Sequence, residues 1–470
     1  MLKRFVLVVA GCLLMLSGGC DTGGGATAPI EDCGDGRVDG SEQCDGVNLD
    51  LAVCEDFGVA GGALRCDEGC RFDLRGCYDV TQFGTGGEDE ATGIAVDSGG
   101  NIYVVGSASG MLEEGFRVES DWLLAKYDST GTLLWRRQGG SSAKDYGRGV
   151  AVSPEGLIYI TGTTLGALAD NDSLGGSDGF LIAFSDDGIL RWQRQFGTPG
   201  EEESNGVALL GDGSVVVAGS TTGVISGANE GGVDIFLVGY SENGTPVWSQ
   251  QMGSPGDDAA LSVAVTGEDS IVIAGYAGGS LGGEPYMDGA DMFLGCFGAW
   301  GDVRWVRMWG NYSQDVANAV RVRGEQIFVA GTSDRGIDNN PSEKEWDAVL
   351  STFSLQGEKL WTAQWGSKQS DIAFDVGFDD AGGIYVVGST DGPIEGASVY
   401  GLDDIFLSKL DGEGKVLWNR QWGTNNVDRP WGVAIVDQVA YIAGFTYFMI
   451  DGVTHFGYKD AFMLRTPVPR

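Results

Sequence analysis

The chain has 470 residues, 80 of them glycine, and a formal net charge of −38. So acidic a surface excludes nucleic acid as a partner, because binding phosphates takes Lys and Arg to displace counterions. A single histidine, His455, excludes histidine metal clusters and leaves a Ser-His-Asp arrangement only one possible base.

The N-terminus reads Met1-Leu-Lys-Arg4, an apolar run from Phe5 to Leu16, and then Ser17-Gly-Gly-Cys20. A basic start, a short apolar run and small residues describe a secretory signal. The run is too short to span a bilayer. With a cysteine after the small residues, the segment resembles a bacterial lipoprotein signal. That resemblance implies removal of residues 1–19, lipidation of Cys20, and a location in the cell envelope, held to a membrane by acyl chains. Residues 20–32 then serve as anchor and flexible tether.

Cys33, Cys44, Cys54, Cys66, Cys70 and Cys77 follow within residues 33–78. An even count in an exported chain predicts a three-disulfide framework, of fifteen possible pairings. A zinc site is disfavoured, because Cys66-x3-Cys70 has no second close pair. The text Cys33-Gly-Asp-Gly-Arg-Val-Asp-Gly-Ser-Glu-Gln-Cys44, with Cys66-Asp-Glu-Gly-Cys70 and Cys77, resembles the Cys-rich repeat of myxobacterial secreted proteins. What this implies is a stiff surface module and no activity.

From residue 79 to 467 the chain repeats. Trp135, Trp192, Trp248, Trp305, Trp361 and Trp418 recur every 56 or 57 residues, a period that marks a repeat architecture. Each repeat holds four apolar runs of strand length, here called a to d. In the first they are Gly93–Asp97, Ile102–Gly106, Asp121–Tyr127 and Thr132–Gln138. A glycine recurs in each c–d link (Gly131, Gly188, Gly244, Gly301, Gly357, Gly414), as a tight hairpin requires. The expected fold is all-β: a seven-bladed propeller of four-stranded antiparallel blades. Gln82-Phe83-Gly84 matches Gln195-Phe196-Gly197 of the later d strands. The N-terminal run should therefore be the outer strand of the last blade and close the ring on Asp460–Arg465. The repeat resembles the SBBP family of bacterial β-propeller repeats, which implies a secreted propeller with no defined ligand.

In this strand order the long b–c loops share one face with the d–a loops, and variable loops on a rigid scaffold suit binding. That face carries a carboxylate before each strand a: Asp89, Asp145, Glu202, Asp258, Asp315, Asp371 and Asp428. An Asp opening each strand c adds a second set. Calcium ligation is one reading. Hydrogen bonding within each carboxylate's own loop is the other, and the absence of a compact Asp-x-Asp-x-Asp-Gly loop favours it.

Two departures from the repeat stand out. One copy of strand a reads Val320-Arg321-Val322 where the others carry a small central residue, so Arg321 should meet a carboxylate or line the channel. The last b–c loop holds Phe445, Tyr447, Phe448, His455, Phe456 and Tyr458, with Trp431 in the adjoining d–a loop. Such aromatics either bind a glycan or protein, or cover the ring's closure. No catalytic constellation emerges. The expected role is non-catalytic binding or scaffolding at the cell envelope, with a carbohydrate-acting enzyme or a purely structural component as alternatives.

Overall fold

The short apolar runs become strands because β-branched and aromatic residues alternate between glycine-rich turns. A computed structural model describes residues 37–38, 42–112, 119–168, 173–338, 340, 345–394, 400–450 and 453–468. The signal segment, Cys20, the tether and Cys33 lie outside them. The strands gather into seven four-stranded antiparallel sheets, each in the order a-b-c-d. In blade 1 these are Asp89–Val96, Ile102–Ala108, Asp121–Tyr127 and Leu133–Gly139. Strand a begins four residues earlier than its apolar run. The inner strands of blades 2 to 7 are Asp145–Val152, Glu202–Leu209, Asp258–Val265, Asp315–Arg323, Asp371–Phe378 and Asp428–Val436.

Blade 7 is completed by both ends of the repeat region. Asp79–Phe83 pairs with Asp460–Pro467, setting Val80 opposite Leu464 and Gln82 opposite Phe462. Blade 7 thus has the same four strands as the other six.

Strands b and c of blade 1 are buried along their whole length, because each sheet has a neighbour on both faces. The apolar clusters accordingly span two blades. Tyr103 and Leu124 of blade 1, for example, pack with Ile160 and Phe180 of blade 2.

The repeating tryptophan sits on strand d and reaches the next blade's c–d turn. The Trp135 indole N–H donates to the Asp186 carbonyl at 3.0 Å, and that of Trp192 to the Glu242 carbonyl at 3.0 Å. Gly244, with φ of +77°, lies so close beneath Trp192 that a Cβ there would sit 2.7 Å from the ring. The glycine supplies both a left-handed turn and a flat seat. At the seam Arg465 takes the tryptophan's place. Its guanidinium lies against Gly131 and holds Asp79 through Nε at 2.7 Å and Nη2 at 2.5 Å.

The chain divides into two compact units. Of the described residues, one comprises those up to Leu51 together with Arg65–Asp73; the other comprises Ala52–Leu64 and those from Leu74 on. The first contains the Cys44–Cys66 disulfide and a two-stranded ladder of Arg65–Cys66 with Phe72–Asp73. The second contains Cys54–Cys77, and Cys70 is also disulfide-bonded. Among the described residues, Glu42, Asp45 and Cys70 bring donor atoms within 4.8 Å of one another, but the disulfide leaves Cys70 without a thiolate to offer a metal.

Candidate functional site

Every inner strand carries the same irregularity. Pairing of a with b jumps from Ala91 to Gly93, Gly147 to Gly149, Ser204 to Gly206 and Ala260 to Ser262. It jumps again from Ala317 to Ala319, Ala373 to Asp375 and Pro430 to Gly432. The skipped residues are Thr92, Arg148, Asn205, Leu261, Asn318, Phe374 and Trp431. Each is a β-bulge, which breaks the sheet's alternation and re-aims one side chain. All seven line one axial cavity of about 250 Å³. They sit three residues, about 10 Å, inward from the d–a loops. Around them the blades repeat; at the bulge they do not.

This placement corrects the position of Trp431, which belongs to strand a and not to a d–a loop. The extra bulge residue conceals the strand's start by shifting its apolar alternation one place. The shift also makes the seven carboxylates Asp89 to Asp428 the first residues of their strands.

Arg321 lines the same cavity and also has a carboxylate. Its Nη2 lies 2.8 Å from Asp375 Oδ1. Asp375 is buried and accepts further N–H groups from Val376 at 2.9 Å and Val433 at 3.1 Å. Burial pushes its carboxyl above the ordinary range, against the pull of Arg321. Among the described residues it is the single carboxylate lining the cavity. The sequence held a signal for Asp375, since it stands where the other copies have Gly, Ser or Ala.

Aromatic rings run outward from the cavity. Phe374 and Trp431 have centroids 4.8 Å apart, Trp431 and Phe445 6.4 Å, Phe445 and Tyr447 5.6 Å, and Tyr447 and Tyr458 5.3 Å. Phe445 proves to be buried at the end of strand b, so it links the series without facing solvent. Tyr458, Phe456 and Phe448 are exposed on the b–c face. His455 belongs to the seam. Its Nδ1 lies 3.0 Å from Asp460 Oδ2 and 2.9 Å from Gln82 Nε2.

The carboxylates that open strands a do not converge on the cavity. Each accepts the backbone N–H four residues earlier at 2.5–2.7 Å, from Thr85 to Asp89 through Thr424 to Asp428. Six of the seven strand-c aspartates take a strand-d glutamine amide, as in Gln195 to Asp178 at 2.6 Å and Gln251 to Asp234 at 2.8 Å, and in the blade of Asp291 the glutamine's position is held by Met308 instead. At the blade junctions the two sets face each other across a glycine. A Cβ on Gly140 would lie 2.4 Å from Asp145 and 2.8 Å from Asp121. Burial pushes Asp121, Asp258, Asp315, Asp371 and Asp428 up to about 6.

With this geometry in place, comparison with known proteins adds the following. The SBBP beta-propeller repeat family matches residues 80–112, 134–168 and 360–395. The regulatory protein FlaEY of Caulobacter vibrioides is 23% identical over 395 residues, covering 72% of this chain and 40% of FlaEY. The chain thus spans less than half of that relative's length. Among solved structures, the WD40 domain of Neurospora crassa Pan2 is similar with a TM-score of 0.47 at 10% identity, over 85% of this chain and 98% of that one. The phage phi92 endosialidase gives a TM-score of 0.46 at 11% identity, over 84% of this chain and 69% of that one.

Proposed function

We propose that this chain is a cell-envelope lipoprotein whose propeller is a non-catalytic binding or scaffolding module for a glycan or a protein. One observation carries the reading: seven bulges at one register present seven side chains, of which only the asparagine recurs, to one cavity. A ring built only for stability has no need of diversity at the position that faces open space. Rigid elements that aim variable side chains are how a repeat scaffold builds a binding site.

The aromatic series supports a ligand that enters from the b–c face. Tyr458, Tyr447 and Phe448 would meet it at the rim, and Trp431 would meet it at the ring. Two features argue for binding without catalysis. The cavity's one carboxylate is tied to Arg321, whereas glycoside hydrolysis uses two, and His455 is engaged at the seam. That the FlaEY relative is a regulatory protein is in keeping with such a role.

The test is capture on a glycan array and from envelope extracts, comparing the native chain with Trp431→Ala and with Tyr447→Ala/Phe448→Ala. The expected result is a loss of at least tenfold in retained ligand with melting temperature preserved. Capture indifferent to all three substitutions refutes the site. Anchoring is tested separately: Cys20→Ser should release the protein from the membrane fraction.

A further inference from the structure

Resting on the cavity as the binding site, we infer that the bulge ring holds an acidic sugar, a single pyranose-sized ring bearing a carboxylate. The carboxylate would sit on Arg148 and one face of the sugar ring against Trp431. Arg148 carries the argument. Among the described residues it donates no hydrogen bond and meets no carboxylate within ion-pair distance; its guanidinium lies 5.9 Å over the Tyr146 ring. By contrast, Arg321 is matched by Asp375, Arg429 by Asp403 and Lys459 by Glu90. In a chain of net charge −38, a guanidinium kept without a counter-ion in a shared cavity is a site for a planar anion, which it can grip with two parallel bonds.

The remaining chemistry of the ring selects a hydroxylated anion. Asn205 and Asn318 each spend an amide N–H on a carbonyl of the next blade, Ala260 and Ala373, at 2.9 Å. These bonds fix the two amides, and their Oδ1 atoms receive no donor among the described residues, so they call for donors from a ligand. Sugar hydroxyls supply them; benzoate has none. Across the ring the Trp431–Phe374 pair offers an apolar face of the kind on which the C–H side of a pyranose stacks. The cavity, about 250 Å³, is smaller than most small-molecule sites and admits one such ring.

Isothermal titration of the full chain with D-glucuronate, D-galacturonate, D-glucose and benzoate decides the matter. The expected outcome is binding of at least one uronate, at least tenfold weaker glucose and benzoate, and at least a tenfold loss in Arg148→Gln and in Trp431→Ala. Melting curves confirm that both variants are folded. Glucose or benzoate bound as well as the uronates overturns the inference, as does uronate binding unaffected by Arg148→Gln. If no probe binds while capture still falls with Tyr447→Ala/Phe448→Ala, the sugar-acid assignment fails and the broader binding role stands. If capture is indifferent as well, both fail.

Discussion

Arg321 and Asp375 depart from the repeat together. Arg321 stands where the other inner strands carry Ala95, Ala151, Ala208, Ala264, Gly377 and Ala434. Asp375 replaces the small residue found at Gly93, Gly149, Gly206, Ser262, Ala319 and Gly432. The two substitutions make sense only as a pair, because a carboxylate this buried needs a cation. Removing one partner of a buried ion pair costs about 3–5 kcal/mol, while replacing both with well-packed residues is often neutral. Arg321 is 37% exposed, so solvent reduces the loss. Arg321→Ala should lower stability by about 2–3 kcal/mol in urea unfolding. Arg321→Ala/Asp375→Gly, which restores the pattern of the other blades, should recover most of it. Equal losses in the single and double variants would show that the pair does not hold these strands. Arg321 was legible in the sequence because it broke a pattern inside an apolar run. Asp375 left a trace of the same kind, an acid where the other copies are small, but its pairing with Arg321 follows only from the way the blades meet.

The inner strand as an element shows the same limit. A bulge adds one residue, so side chains before and after it alternate out of phase. Sequence periodicity then recovers only the part after the bulge. In blade 1 that part begins at Gly93, while Asp89 to Thr92 read as loop. The carboxylates were visible as a repeated feature, yet their burial as opposing pairs at each junction follows only from the longer strand. That burial has a pH signature. Asp121, Asp258, Asp315, Asp371 and Asp428 titrate near 6 in the fold, against an ordinary 3.8. A raised acid pKa means that the folded state binds more protons than the unfolded chain between these values. Stability should therefore rise as pH falls from 8 through 6 and level off near 4. Asp97 and Asp379 oppose this only in stronger acid. Hydrogen bonds led by Asn101 and Tyr385 outweigh burial at those residues and hold them below the ordinary range. The melting temperature should be higher at about pH 5 than at about pH 8. Asp371→Asn should raise it at both, and by more at the higher pH than at the lower. A melting temperature that falls steadily over that interval would show that the junction carboxylates are not strained when ionised.

At the scale of the whole molecule, stability depends on the ring having no beginning. Seven blades were countable from the recurring c-strand aspartates and b-strand glycines, and the Gln82-Phe83-Gly84 match located the closing strand. What fills the seventh tryptophan's place was not readable, because Arg465 arrives from strand c whereas each tryptophan arrives from strand d. The seam consequently relies on one five-residue strand, the Arg465–Asp79 ion pair and the Gln82–Asp460 hydrogen bond at 2.9 Å. Five other junctions have a tryptophan on a glycine seat, from Trp135 on Gly188 to Trp361 on Gly414, each ring contributing about 2–3 kcal/mol by burial. Two variants separate closure from packing. Trp305→Ala removes one seat contact and should lower stability by about that amount while the chain stays monomeric, since no additional edge is exposed. Deleting the segment through Phe83 leaves Asp460–Pro467 as an open edge. An unpaired strand of that length is a template for another chain. Size-exclusion chromatography with light scattering should then show concentration-dependent association that Trp305→Ala does not. A truncated chain that remains monomeric at high concentration, with an unchanged melting temperature, would mean that the circle holds without its closing strand.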